Sequence, residues 1–401
     1  NFNLSVRVSD AFMRAVQARE TYALRHPRSG RVVGQLGAHD VFARIAHAAW
    51  QCGDPGLLFG DAIERANPVP GLGPIEATNP CGEVPLLPWE SCVLGSVNLA
   101  RLVRTEGGIT AVDWARLAHV VRLGVRFLDD VVEASRAPFS EIEAASRGCR
   151  KIGLGVMGFA ELLLQLGVSY ASPEAVACGE RVVAFVAREA RAASRALADE
   201  RGPFVHWSRS VHAAHGERLR NATLLSIAPT GTTSILAGTS AGIEPLFALA
   251  YRRHHTLGGA PLVEINPLFA RTIERRLGTK ARGVIDLVVE RGHLGGVPDV
   301  PDDVRALFAT ATEIAPRQHL LVQQAFQRHV DNAVSKTVNL PESARSEDVA
   351  DAYLDAWQLG LKGVTVYRTG SRQTQVLDLG TGEDASARER FARCDPGACE
   401  L

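Results

Sequence analysis

The chain has 401 residues, 44 Lys+Arg against 44 Asp+Glu, 46% apolar residues and seven cysteines. That apolar content belongs to a folded protein, and the zero net charge argues against a general nucleic-acid coat or a polybasic membrane binder. No run reaches the ~18 apolar residues of a transmembrane helix, and the cysteine spacing is not that of a secreted disulfide framework, so a cytoplasmic setting is expected.

Read in chain order, Asn1-Phe2-Asn3-Leu4 resembles neither a signal peptide nor a translation start, which suggests a chain beginning partway through a longer protein. The first segment with chemistry is Asn79-Pro80-Cys81-Gly82-Glu83. Taken as extended backbone, its i, i+2, i+4 spacing turns an amide, a thiol and a carboxylate to one face. Pro80 and Gly82 disfavour a helix there, and Pro85 and Pro88 stiffen the stretch leading to Cys92. On spacing alone, a tight turn with a buried cysteine and a surface glutamate is an equal reading.

Val112 to Val132 has the period of a helix, with Leu117, Val120, Val121, Leu128, Val131 and Val132 inward. Lys151 to Leu154 reads as a buried strand. The Gly153-x-Gly155-x-x-Gly158 that begins in it matches a dinucleotide fingerprint, but Ser172-Pro173-Glu174 falls where a second strand should end. The glycines are better read as allowing close packing of strand and helix. Ser172-Pro173 opens a helix that Gly202 closes. The sequon at Asn221 is discounted without an export signal. His212, His215, His254 and His255 lack partners in metal-site spacing.

Thr223 to Ile227 reads as a strand entering Pro229-Thr230-Gly231-Thr232-Thr233-Ser234. Such a turn at a helix N-terminus offers backbone N–H groups and hydroxyls to an anion, or is simply a hydroxyl-rich cap. A helix over about Glu347 to Leu361, with Tyr353, Leu354 and Trp357 inward, leads into a strand from Val364 to Tyr367. Alternating helices and strands make the fold class α/β. From about Gln373 the apolar period is lost, and the chain ends in Cys394-x4-Cys399, a dithiol on a tether. The domain division expected is residues 1–372 and a tail of 373–401.

Taken together, Asn79 to Glu83, Pro85 to Leu99, Ala228 to Ile235, Ser335 to Pro341 and Gly360 to Arg368 resemble, in order, the catalytic subunit of ribonucleotide reductases. The resemblance is to the adenosylcobalamin-dependent class II, and specifically to its C-terminal portion. It implies part of a ten-stranded α/β barrel with a finger loop at about 77–95 and a phosphate loop at about 228–235. It implies Cys81 as a thiyl radical, Glu83 as the base on a ribonucleotide 3′ hydroxyl, and Asn79 as a hydrogen-bonding partner of substrate hydroxyls. Asn79 to Glu83 and Pro229 to Ser234 would bind substrate. Cys92 would form a redox disulfide with a cysteine upstream of residue 1, because Cys52 has a different context. Cys394 and Cys399 would re-reduce that disulfide, themselves recharged by thioredoxin or glutaredoxin.

Further implied partners are the N-terminal half of the same protein and a second copy in a homodimer. A direct nucleic-acid or membrane partner is not implied. The short Cys81-to-Cys92 gap, and Tyr367 standing without an adjacent tyrosine, separate the chain from the iron-dependent class I. A class I fragment and a non-catalytic nucleotide-binding remnant are the alternatives. The expected activity is reduction of ribonucleoside diphosphates to 2′-deoxyribonucleotides for DNA synthesis and repair.

Overall fold

The computed structural model describes residues 3–253 and 262–371. These divide into two compact units. One holds the chain up to Phe247 together with the chain from Ala309, and the other is Ala248–Phe308.

In the larger unit, strand Ser5–Val8 pairs in parallel with Gly56–Phe59, which pairs antiparallel with Gly363–Arg368. Gly363–Arg368 in turn pairs in parallel with Thr337–Leu340. Separately, Val93–Asn98 and Ile152–Met157 form a parallel pair. The Ile152 strand is buried at every position, as a strand covered on both faces should be.

Residues 223–227 lie between these sheets but are not the strand expected of them. They touch each side by one parallel bridge, Leu154 with Leu225 and Ile227 with Val334. The reason is a side chain distant in the chain: Asp331 Oδ2 accepts both Leu224 N–H (2.9 Å) and Leu225 N–H (3.1 Å), so these neighbouring amides go to a carboxylate rather than to a ladder. The fold is α/β as expected, and of the expected part of a ten-stranded barrel the described residues form small sheets that do not close on one another. The described residues form one four-stranded sheet and five two-stranded ones, and no pairing among them joins Val93–Asn98 to Ser5–Val8.

Two apolar cores cover these sheets. Leu117, Val121, Val125 and Leu128 pack with Val182, Val183 and Val186 around the Ile152 strand. Phe42, Leu57, Phe59, Val338, Tyr353 and Val364 form the other.

The expected helices are present, the second with the ends expected of it and the first and third with shifted ends. The first starts at Trp114 because the Asp113 carboxylate accepts Arg116 N–H, and Val112 ends a strand instead. The second spans Pro173–Arg201, with Ser172 at its N-cap, Pro at its start and Gly202 at φ 82° closing it. The third, Ser346–Gln358, buries Tyr353, whose hydroxyl donates to Pro55 O at 2.9 Å.

Gly153 and Gly155 do permit close packing, though against a chain segment rather than a helix. A Cβ at Gly155 would sit 2.3 Å from Ser226 O, and one at Gly153 would sit 2.7 Å from Ser226 Cβ. In the smaller unit, strands Ala250–Arg253 and Leu262–Ile265 form a hairpin. Phe269 meets Phe308 edge-on there, with ring centres 5.4 Å apart. No helix among the described residues is long and apolar enough to cross a membrane.

Candidate active site

Two-residue strands Ala77–Thr78 and Pro85–Leu86 pair antiparallel and carry Asn79 to Val84 as a hairpin tip. The tip is a turn, not the extended run expected from the spacing. Gly82 N–H donates to Asn79 O at 3.0 Å, with Pro80 and Cys81 at its two central positions. Gly82 then takes φ 79°, a left-handed conformation that suits glycine. The Asn79 side chain locks the turn, since its Oδ1 accepts Val84 N–H at 3.0 Å.

The burial pattern is the reverse of the turn-only reading: Cys81 is exposed, while Glu83 is only 2% exposed. Glu83 is held there through its backbone. Its carbonyl accepts Ala333 N–H at 2.8 Å and the Ser226 hydroxyl at 2.9 Å. Its carboxylate Oε2 has no hydrogen-bond partner among the described residues. Burial raises the Glu83 carboxyl above its ordinary value, against the opposing effect of the Asn79 side chain. Burial, and then the Glu83 charge, hold the Cys81 thiol up as well, so it stays protonated.

Cys92 immediately precedes the Val93–Asn98 strand and is half-buried. Burial pushes its thiol up to about 12, with Lys151 opposing and Glu83 and Glu90 adding to the shift.

Pro229 to Ser234 leads into a short helix, Gly231–Ala237, whose N-cap Thr230 takes φ 51°. Thr230 Oγ1 accepts Gly242 N–H at 2.8 Å, and the Ser234 hydroxyl turns back to Gly231 O at 3.1 Å. Gly231, Thr232 and Thr233 are exposed, and their amides are those an α-helix leaves without an internal acceptor. Cys394 and Cys399 lie outside the described residues.

Sequence reasoning missed the supports behind this loop. Glu161 accepts Ser240 N–H (3.0 Å), the Ser240 hydroxyl (2.6 Å) and the Thr239 hydroxyl (3.0 Å). Glu244 Oε1 accepts Thr337 N–H at 2.7 Å, and its Oε2 meets Lys336 Nζ at 2.5 Å. Lys336 Nζ also donates to His319 Nδ1 at 2.8 Å, and burial, then Lys336, hold that imidazole neutral with its pKa down at about 2. A lone acidic or basic residue at scattered positions carries no spacing signal. Of the histidines that lack metal-site spacing, His212 is buried with Nε2 3.0 Å from Ala222 O, and His215 is exposed with Nδ1 2.8 Å from Val211 O. His254 and His255 lie outside the described residues.

The hairpin and strand order belong with one family. The model of the ribonucleotide reductase barrel domain matches residues 1–218 and 206–367, and the chain belongs to that family. Among its relatives, it is 51% identical to a vitamin B12-dependent ribonucleoside-diphosphate reductase of Mycobacterium tuberculosis, over 100% of this chain and 56% of that protein. It is 45% identical to the protein of the same name from Thermoplasma acidophilum, over 97% of this chain and 50% of the other. The chain thus spans about half the length of these curated relatives. Its fold is similar to that of the class Id ribonucleotide reductase alpha subunit of Actinobacillus ureae, with a TM-score of 0.71 at 21% identity, covering 92% of this chain and 65% of that one.

Proposed function

We propose that this chain carries the radical centre of an adenosylcobalamin-dependent ribonucleoside-diphosphate reductase, with residues 1–372 as the catalytic part and 373–401 as a redox tail. The observation that carries the reading is the hairpin tip. An exposed, protonated thiol at Cys81 stands two residues from a buried carboxylate whose Oε2 lacks a partner among the described residues. A hydrogen-atom donor must be S–H rather than thiolate, and it must be reachable. Cys81 meets both conditions, which is the fit that a radical-generating cofactor requires. When bound, adenosylcobalamin supplies by cobalt–carbon homolysis the acceptor for that hydrogen atom.

In this reading the Cys81 sulfur takes the 3′ hydrogen of the nucleotide. Glu83, raised toward neutrality by burial, accepts the 3′ hydroxyl proton through Oε2. Asn79 holds the substrate hydroxyls, and Pro80 and Gly82 fix the turn that aims the sulfur at one C–H bond. The amides of Gly231, Thr232 and Thr233 and the hydroxyls of Thr232 and Thr233 take the phosphates, with Pro229, Thr230 and Ser234 shaping the loop that presents them.

The net step replaces the 2′ C–OH by C–H. Water leaves, and two thiols give up two electrons and two protons as they become a disulfide. Cys92 is one of these thiols, and the other belongs to the N-terminal half of the same protein. Cys394 and Cys399 return the electrons, drawing on thioredoxin or glutaredoxin, and a homodimer is the assembly proposed. The likeness to B12-dependent relatives supports the cofactor and the diphosphate substrate.

The test is turnover of the full-length protein. It should make deoxyribonucleotide only with adenosylcobalamin and a dithiol. Activity that ignores cobalamin and needs a separate metal subunit would assign it to the iron-dependent class instead.

A further inference from the structure

Beside Cys92 lies a buried ion pair that the reaction just proposed does not use. Lys151 Nζ meets Glu90 Oε2 at 2.5 Å, and the two side chains are 1% and 3% exposed. Glu90 Oε2 also accepts Leu87 N–H at 2.7 Å, and the Glu90 carboxylate also bears on the buried Cys149 thiol, whose pKa burial and then Glu90 raise. The pair is held by backbone in an uncommon state on both sides: Trp89 takes φ 66° and Arg150 takes φ 49°, neither of them glycine.

Register brings the pair to the sulfur. Ile152 pairs with Val93 at the head of the parallel ladder, and Lys151 and Cys92 are the residues that immediately precede these two. The Cys92 Sγ lies 3.5 Å from where a Gly153 Cβ would be, so the sulfur stands on the same face of that strand as the Gly153 position. A buried ion pair is poor value as a stabiliser, because desolvating both ions offsets their attraction.

We propose that Lys151 and Glu90 set the charge at the Cys92 sulfur, Lys151 stabilising its thiolate and Glu90 limiting that effect. Both are positioning residues for a redox thiol, and the proposal rests on the redox role given to Cys92. The charged groups facing the sulfur are Lys151 at the head of its own strand, Glu90 on the loop before Cys92, and Glu83 on the hairpin. The 223–227 segment brings Ser226 and no charge.

The step this serves is reopening of the disulfide. An incoming dithiol attacks the partner sulfur and expels Cys92 as thiolate. Its second thiol then completes its own disulfide, and the two protons it loses end on Cys92 and its partner. A cation beside the leaving sulfur favours that departure.

The experiment reads thiolate directly, so it does not depend on turnover. The full-length protein is reduced with a phosphine and alkylated with iodoacetamide at a series of pH values, and Cys92 is followed by peptide mass spectrometry. Lys151→Met should slow Cys92 alkylation about tenfold, the effect of one pKa unit. Glu90→Gln should speed it several-fold, and Lys151→Arg should stay within about twofold of the parent.

Opposite signs are the signature of a charge effect. If both neutralising substitutions shift the rate the same way, or neither does, the proposal fails. Cys178, buried and with Arg181 as its charged neighbour, reports general loosening of the fold. The double variant Glu90→Gln/Lys151→Met leaves no orphan charge and covers the case where Lys151→Met does not fold. It should react more slowly than Glu90→Gln alone, and a faster rate would also overturn the proposal. Loss of turnover in Cys92→Ser tests the redox role separately.

Discussion

The Ser226 hydroxyl donates to the backbone carbonyl of Glu83 at 2.9 Å, tying the hairpin tip to a segment 143 residues away in the chain. Ala333 N–H shares that carbonyl, so the Glu83 side chain is aimed by two bonds to its own backbone. Ser226→Ala should therefore cost only about 0.5–1.5 kcal/mol, since the carbonyl keeps one donor. Urea unfolding measures that cost. In the full-length enzyme kcat should fall more than KM rises, because Glu83, the proposed base, is displaced while the proposed phosphate loop at 229–234 is intact.

Gly155 is the companion case. Its missing Cβ leaves room for Ser226 O, 2.3 Å from where the Cβ would be. Gly155→Ala should destabilise by about 1–3 kcal/mol or more through overpacking. Gly283→Ala, in a helix with nothing within 4 Å, should instead stabilise by about 0.5–1 kcal/mol. Parallel melts of the two variants check the contrast.

Glu83 also predicts a pH signature. Burial raises its carboxyl, so the folded chain binds that proton more tightly than the unfolded chain does. That linkage stabilises the fold below the unfolded value near 4.5 and is lost as pH rises through the folded value. Glu83→Gln, which cannot ionise, should melt about 1–3 °C above the parent at about pH 8 and show little gain at about pH 4. The same variant should be inactive in the full-length enzyme. A gain that is equal at both pH values would remove burial as the cause.

The ion pair behind the phosphate loop makes a different prediction. Lys336 is fully buried and bonded to Glu244, His319 and Thr337 O. Lys336→Met should cost about 3–5 kcal/mol by leaving Glu244 without its cation. Denaturant unfolding measures it.

The hairpin residues were legible in the sequence because amide, thiol and carboxylate fall at fixed offsets between proline and glycine. Their conformation was not. The spacing suited an extended strand, but Asn79 spends its side chain on Val84 N–H and makes a turn. The first helix was legible from its period and the second from its caps, Ser172, Pro173 and Gly202, whose ends the structure keeps; the first helix's start is displaced because Asp113 captures an amide. Residues 223–227 looked like a strand because the run is apolar, yet Asp331, over a hundred positions on, takes their amides. Contacts of that range, including Lys151 with Glu90 and Glu244 with Lys336, leave no local pattern to read.

The tail makes its own prediction. Cys394→Ser should leave turnover unchanged when dithiothreitol is the reductant and slow it at least about tenfold with thioredoxin, since only the macromolecular reductant needs a tethered relay. Steady-state rates with each reductant decide it, and equal loss with both would refute the relay.

The central claim is that the Cys81 sulfur is the atom that takes hydrogen from substrate. The direct measurement is deoxyribonucleotide formation by full-length Cys81→Ser with adenosylcobalamin and dithiothreitol, beside a melt showing that the variant is folded. An O–H bond is too strong to replace S–H in that exchange, so a folded variant should give no product above background. Product at a rate within about tenfold of the parent would contradict the claim.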